Sequence, residues 1–127
     1  MGQATPFKPI ALVVEDDELQ RDLVVTLLEE SNMGVIQCES AEAALRVLEK
    51  MGGCLAMMFT DVNLAGTIDG IELARFARER FPSLRVIVTS GASSGDGVPP
   101  GARFIPKPWR PLDVLREAAR VQQAAAG

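Results

Sequence analysis

The 127-residue chain contains no histidine, only two cysteines, and no apolar stretch long enough to cross a membrane. The lack of histidine excludes Ser/His/Asp triads, Cys/His dyads and the commonest zinc sites. Cys38 and Cys54 have neither metal-ligand spacing nor the pattern of a disulfide framework, and both lie beside apolar segments, so we expect two buried, reduced thiols. The first residues are polar or small, unlike a secretory signal, so we expect a cytoplasmic protein that does not contact a membrane.

The chain also lacks an excess of basic residues. Its 13 lysines and arginines are outnumbered by 17 aspartates and glutamates, which gives a net charge of −4. Binding to the phosphate backbone of nucleic acid requires a basic surface, so direct nucleic-acid binding is disfavoured. Hydrophobic residues make up 47% and charged residues 24%, the balance of a globular protein. We expect a single domain over residues 1–127, with a core of about residues 8–121.

Apolar runs of strand length alternate with segments of helical periodicity. Strands are predicted at residues 10–14, 35–38, 55–60, 85–90 and 103–105. Strand and helix alternate five times with one helix missing, which predicts an α/β fold: a doubly wound, flavodoxin-like, five-stranded parallel sheet of order 2-1-3-4-5. In place of the fourth helix, Gly91 to Gly101 carries four glycines and two prolines in eleven residues, so we expect a loop there.

The predicted helices have recognisable ends and faces. Ser40 is placed to cap the second helix, and Asp69 with Glu72 three residues later forms the pattern of a capping box for the third. In the first helix, four leucines predict the face that packs on the sheet: Leu19, Leu23, Leu27 and Leu28.

Acidic residues stand where two predicted strands end. Asp61 is the last residue of the third strand, and Glu15 and Asp16 follow the first. Right-handed crossovers bring these strand ends to one edge of the sheet, where open α/β sheets bind ligands. Crowded carboxylates need a cation or raised pKa values, and Mg²⁺ suits oxygen ligands of this kind. Taken singly, Asp61 could instead begin a turn, and the acids after the first strand could complement a helix dipole.

Two other polar residues follow strands at the same edge. Ser90 ends the fourth strand, and Lys107 follows the fifth between two prolines. A lysine there can pair with a phosphoryl group as a point charge, and a serine hydroxyl can donate a hydrogen bond to the same group. Each also has a simpler interpretation, as a solvated loop lysine and as a strand-ending serine.

Together these segments resemble the receiver domain of response regulators, the phosphoacceptor half of two-component signalling. The resemblance covers roughly residues 8 to 121. It rests on five motifs in order: VVEDD (13–17), TDVNL (60–64), DGIEL (69–73), VTSG (88–91) and IPKPW (105–109).

The resemblance implies that Asp61 is the phosphorylated residue. Glu15, Asp16 and the backbone carbonyl of Asn63 would arrange Mg²⁺ together with Asp61. The phosphoryl donor would be a phosphohistidine on a histidine kinase or a histidine phosphotransfer protein, and the output would be a change in binding to an unknown downstream protein. The chain would then be a signalling phosphoacceptor that promotes only its own phosphorylation and dephosphorylation, either free-standing or as part of a larger protein.

The resemblance further implies that Ser90 is the switch hydroxyl, Lys107 the lysine that pairs with the phosphoryl group, and Phe104 the switch aromatic. The peptide bond from Lys107 to Pro108 would be cis. Two alternatives remain open from the residues alone. One is a small phosphohydrolase with an aspartate nucleophile, although Asn63 stands where such enzymes commonly have a second acid. The other is a receiver-like interaction module that works without phosphorylation.

Overall fold

The computed structural model describes residues 8–91 and 95–126. Its five strands form one parallel sheet in the order β2-β1-β3-β4-β5, with crossovers that place the carboxyl ends at one edge. This confirms the predicted fold class and strand order. The strands are β1 (Ile10–Val14), β2 (Gly34–Cys38), β3 (Met57–Asp61), β4 (Arg85–Ser90) and β5 (Arg103–Pro106).

Four helices cover the sheet, and a short 3₁₀ turn, Gly52–Cys54, precedes β3. Ser40 and Asp69 cap their helices as predicted, each accepting a hydrogen bond from the backbone amide three residues later. Within the described residues, the connection from β4 to β5 contains no helix, as its composition predicted. The helices are α1 (Glu18–Glu30), α2 (Ala41–Met51), α3 (Gly70–Arg80) and α4 (Pro111–Ala126).

The central strands are buried on both faces, which explains why they read as continuous apolar runs. Leu12 and Met58 pack into the layer beneath α2 and α3. Val13 and Phe59 pack into the opposite layer, beneath α1 and α4. All five residues of β3 are buried, including Asp61 at its end. The sheet therefore delivers Asp61 to the carboxyl edge on a rigid, fully packed strand.

The buried face of α1 agrees only in part with the one that its leucines predicted. Leu28 is buried and Leu27 is partly buried, as predicted. Leu19 and Leu23 are instead 82% and 47% exposed, and the buried face continues through Arg21, Val24 and Val25. The reason is a tertiary contact: the Arg21 guanidinium donates a hydrogen bond to the backbone carbonyl of Glu15 at 2.9 Å. This bond turns the side of α1 that carries Arg21 towards the sheet and leaves Leu19 and Leu23 in solvent.

The cysteine prediction is half correct. Both thiols are free, and Cys38 is buried at the end of β2, where burial raises the pKa of its thiol. Cys54 is exposed, because it lies in the 3₁₀ turn and the chain directs Leu55 inward instead. No helix in the described ranges is both long enough and apolar enough to cross a bilayer.

The described part of the β4–β5 connection closes over the sheet without a helix. Val98 and Ala102 pack against the layer beneath α2 and α3, and Pro99 is buried. Two backbone hydrogen bonds, Val98 N to Gly95 O and Ala102 N to Pro99 O, make successive turns. Gly101 has a φ of 87°, a conformation that side-chain-bearing residues rarely adopt, so glycine is required where the chain turns into β5.

Candidate functional site

Asp61 lies at the carboxyl end of β3 with 4% of its surface exposed. One carboxylate oxygen, Oδ1, accepts a hydrogen bond from the backbone N–H of Asn63 at 2.9 Å. The other, Oδ2, is contacted by the ammonium group of Lys107. The Thr60 hydroxyl donates to the Asp61 carbonyl at 3.0 Å. The carboxylate is thus oriented by a backbone donor and a cation.

The first residue of α3 packs directly against the end of β3. A Cβ atom added to Gly70 would lie 2.0 Å from the Asp61 carbonyl oxygen, and the Gly70 N–H donates to the Val62 carbonyl at 2.9 Å. Only a glycine permits this approach. Sequence reasoning identified the cap at Asp69 but not this packing role, although a glycine directly after a helix cap is a signal that could have indicated it.

Glu15 brings a second buried carboxyl to the same edge. Its Oε2 accepts a hydrogen bond from the Asp17 N–H at 3.0 Å. Burial raises its pKa to about 7; the Asp17 hydrogen bond opposes this, while the charge of Asp61 and hydrogen bonding with the carboxyls of Asp16 and Asp61 add to it. Asp16 itself is exposed. The structure therefore places Glu15 against Asp61, with Asp16 beside them at the surface.

Lys107 connects the acids to β4 and β5. Its ammonium group contacts Asp61 and lies 3.6 Å from Glu15 Oε1. Its backbone N–H donates to the Ser90 carbonyl at 2.8 Å, and its peptide bond to Pro108 is cis, as predicted. Burial alone would lower the pKa of Lys107, but hydrogen bonds and charge interactions with Asp61 and Glu15 outweigh it, so the pKa is raised.

The remaining predicted residues occupy different positions around this centre. Ser90 is buried at the end of β4, bonded through its carbonyl to Lys107. Asn63 is exposed and directs its backbone N–H to Asp61. Phe104 lies half-buried in β5 beneath the β4–β5 connection, where a Cβ added to Gly95 would be 3.1 Å from its ring. Ser90 and Asn63 join the acidic edge, and Phe104 faces the connection.

The residues at this edge fit a hard divalent cation that keeps several waters. Among the described residues, no three acidic, histidine or cysteine side chains converge closely enough to hold a metal by themselves. Mg²⁺ does not need such a cage, since it binds through one or two carboxylates with water completing its shell. Burial is the main cause of the raised pKa of Glu15, and the nearby charge of Asp61 raises it further, so a cation bound at this edge would favour the ionised carboxylate.

Residues 11–119 of the chain match the family described as response regulator receiver domain. The chain belongs to this family. It is therefore a receiver domain of two-component signalling with a phosphoacceptor role, and a signalling domain rather than a metabolic enzyme. The family, fold and phosphoacceptor role that the sequence motifs predicted are confirmed.

Relatives of this receiver domain differ in length. It is 28% identical over 118 residues to the putative two-component response regulator ARR21 of Arabidopsis thaliana, covering 91% of this chain but 19% of that protein. It is 28% identical over 119 residues to the response regulator receiver protein CpdR of Brucella abortus, covering 90% of this chain and 97% of CpdR. The crystal structure of the NtrX receiver domain from Brucella abortus superposes with a TM-score of 0.77 at 27% identity, covering 89% of this chain and 98% of that one.

Proposed function

We propose that Asp61 accepts a phosphoryl group from a phosphohistidine on a histidine kinase or a histidine phosphotransfer protein. The observation that carries this assignment is the Asp61 carboxylate, held between the Asn63 N–H and the Lys107 ammonium at the carboxyl edge. The position combines a fixed nucleophile with a cation on the side from which an anionic phosphoryl group would approach. These 127 residues contain no histidine, so the phosphohistidine lies outside this domain.

In the proposed transfer, a carboxylate oxygen of Asp61 attacks the phosphorus while the bond from phosphorus to the donor imidazole nitrogen breaks. The electron pair of that bond stays on the imidazole nitrogen, and the product is an acyl phosphate. Lys107 neutralises charge on the phosphoryl oxygens, and Ser90 donates its hydroxyl to one of them. Water later hydrolyses the acyl phosphate and restores the carboxylate, which resets the switch.

Mg²⁺ would be held at this edge by Glu15, Asp16, Asp61 and the backbone carbonyl of Asn63, with one or two of the carboxylates binding it directly and the rest through its waters. When bound, it would supply positive charge where the carboxylate and the phosphoryl oxygens meet. Glu15 binds a metal only after losing its proton, so its raised pKa makes metal binding depend on pH near neutrality.

The acceptor assignment is tested with acetyl phosphate and Mg²⁺, followed by intact-protein mass spectrometry. We expect one alkali-labile phosphoryl group on the wild type and none on Asp61→Ala. Asp22→Ala, which removes an exposed carboxylate of α1, is the control and should still be labelled. Labelling of Asp61→Ala to the wild-type level would show that another residue is the acceptor.

The surface beside Asp61 suggests how the donor protein docks. Leu19 and Leu23 are 82% and 47% exposed on α1. Leu23 also lines an open cavity of about 410 Å³ together with Lys107, Pro108 and Trp109. Exposed apolar groups next to a reactive centre are typical of a protein-binding surface. We propose that apolar residues beside the donor histidine pack here and bring the phosphoryl group to Asp61.

If this surface docks the donor protein, changing it should slow phosphoryl transfer from a protein donor but not from a small-molecule donor. Leu19→Ser combined with Leu23→Ser should slow transfer from a purified histidine phosphotransfer protein by roughly tenfold or more, because two exposed apolar contacts are lost. The rate with acetyl phosphate should be unchanged, since that donor does not need the surface. Equal slowing with both donors would instead indicate damage to the acceptor site.

A further inference from the structure

A groove lined by arginines runs along the free edge of β5, away from the acidic site. It consists of two adjoining cavities of about 680 and 360 Å³, which meet at Arg103 and Phe104. Strand β5 is the last strand of the sheet, so none of the strands in residues 8–91 and 95–126 covers its outer edge. Six arginines line the two cavities, and we call this surface the arginine groove: Arg78, Arg85, Arg103, Arg110, Arg116 and Arg120.

A buried carboxylate organises the centre of the arginine groove. Glu117 of α4 is 2% exposed and forms ion pairs with three guanidinium groups. The distances are 3.0 Å to Arg85 Nε, 2.8 Å to Arg103 Nε and 2.6 Å to Arg120 Nη1. Three guanidinium groups around one carboxylate leave a net charge of +2. Glu117 therefore fixes the arginines in place without neutralising them.

The other charged groups of the groove add two positive charges in total, because Arg78, Arg110 and Arg116 contribute three and Asp113 subtracts one. Asp113 accepts a hydrogen bond from the backbone N–H of Arg110 at 2.8 Å. At the opposite end, Arg78 donates through Nη1 to the carbonyls of Pro82 and Leu84, at 2.8 and 3.0 Å. Arg78 Nε is shielded from solvent and has no hydrogen-bond partner among the described residues. The groove thus concentrates positive charge on a chain whose net charge is −4.

The backbone of β5 is poorly suited to recognition by strand addition. The Lys107 N–H donates to the Ser90 carbonyl of β4. Because the backbone N–H and C=O groups of successive residues point to opposite sides of a strand, those of Phe104 and Pro106 face the free edge. Proline has no N–H, which leaves a single donor for an added strand. A partner must therefore be recognised through the arginine side chains, whose planar guanidinium groups bind carboxylates in a bidentate manner.

We propose that the arginine groove binds a segment of a partner protein rich in aspartate or glutamate. Charge complementarity supports this occupant, because the excess arginine charge lies in a groove rather than on a convex surface. A protein segment fits better than nucleic acid. Helix α1 carries Glu18, Asp22, Glu29 and Glu30, and a long polyanion would be repelled by this acidic surface, whereas a short peptide need not approach it.

The test uses the unphosphorylated chain, so its result is independent of the Asp61 chemistry. A fluorescein-labelled peptide of alternating glutamate and alanine is titrated with protein, and binding is followed by fluorescence anisotropy at low and high salt. We expect saturable binding that weakens as salt rises. A peptide with glutamine in place of glutamate should not bind, because it offers no charge to the arginines.

Two arginine variants locate the binding. Arg116→Glu changes an exposed groove residue, and Arg103→Gln removes one arginine but leaves two others on Glu117. Each should weaken peptide binding roughly tenfold. The matched control is Arg46→Glu, the same charge reversal at an exposed position of α2, which should leave the affinity unchanged. Thermal melts of all three variants confirm that they are folded.

Four results would overturn the proposal. The first is equal affinity for the glutamate and glutamine peptides. The second is equal weakening by Arg46→Glu and Arg116→Glu, which would indicate net charge rather than the groove. The third is tighter binding of a single-stranded oligonucleotide of the same charge, which would make nucleic acid the occupant. The fourth is self-association in sedimentation velocity that Arg116→Glu abolishes, which would make a second copy of the chain the occupant.

Discussion

Glu15 makes the metal-free domain less stable as pH rises through neutrality, and replacing it should remove that dependence. Glu15 is 5% exposed, and its carboxyl lies against the Asp61 carboxylate. In the unfolded chain it loses its proton near 4.5, whereas in the folded domain it keeps the proton until about 7. Between these values the folded state binds more protons than the unfolded state, so the free energy of unfolding falls as pH increases.

The size of the effect follows from the two pKa values. They differ by about 2.5 pH units, and each unit corresponds to about 1.4 kcal/mol, so Glu15 should reduce the free energy of unfolding by about 3 kcal/mol in total across the window. Lys107 does not contribute there, since its raised pKa lies above 10.5. Glu15→Gln removes the titrating group and keeps its shape. The variant should therefore be more stable than the wild type by about 3 kcal/mol above about pH 8.

Urea unfolding in EDTA at a series of pH values measures this difference. The single tryptophan, Trp109, reports the transition, because it packs edge-to-face on Phe59 with ring centroids 6.0 Å apart. Glu49→Gln, at an exposed position of α2, controls for the loss of one negative charge. The reasoning is refuted if Glu15→Gln and the wild type differ by a constant amount from pH 4.5 to 8, or if the wild type gains stability over that range.

Other predictions concern the packing and the proton dependence of the site. Gly70→Ala places a Cβ 2.0 Å from the Asp61 carbonyl oxygen and should lower the free energy of unfolding by about 3 kcal/mol, measured by urea unfolding. The same variant should also be labelled less by acetyl phosphate. Thr89→Val removes a buried hydroxyl that has no hydrogen-bond partner among the described residues and should raise the free energy of unfolding by about 1 kcal/mol. With subsaturating Mg²⁺, the labelling rate should rise as pH passes 7, because Glu15 must lose its proton; saturating Mg²⁺ should remove this dependence.

The sheet and the acidic edge were predictable because they depend on local patterns. A strand buried on both faces must be apolar throughout, so β1, β3 and β4 could be found as continuous runs and their ends located to within about a residue or two. The motifs at those ends then identified the family, and parallel strand order brought Glu15, Asp61, Ser90 and Lys107 to one edge. The strands and motifs are each recognised from neighbouring residues, and the general rules for parallel sheets supply the strand order.

Features that depend on distant contacts could not be predicted in this way. On α1, Leu28 is buried as its spacing predicted. Whether Leu19 and Leu23 or Arg21 is buried with it depends on contacts with the sheet, including the hydrogen bond from Arg21 to Glu15. Glu117 resembles a surface residue of α4, and its burial depends on Arg85 and Arg103, which belong to two separate strands. A pattern within one helix contains no information about which cations the sheet will place opposite it.

The fold can hold an unbalanced acidic edge because the repulsion between carboxylates acts only at that edge, whereas packing along the whole sheet stabilises the domain. With all groups ionised, the three carboxylates of Glu15, Asp16 and Asp61 and the ammonium group of Lys107 that pairs with two of them carry a net charge of −2. Two like charges 4 Å apart near a protein surface repel by about 4 kcal/mol, comparable to a large part of a domain's stability. Protonation of Glu15 relieves part of this repulsion, and a divalent cation would relieve more. Because β3 is buried along its whole length, Asp61 cannot move away from Glu15 to relieve the rest, and the edge stays ready for a cation.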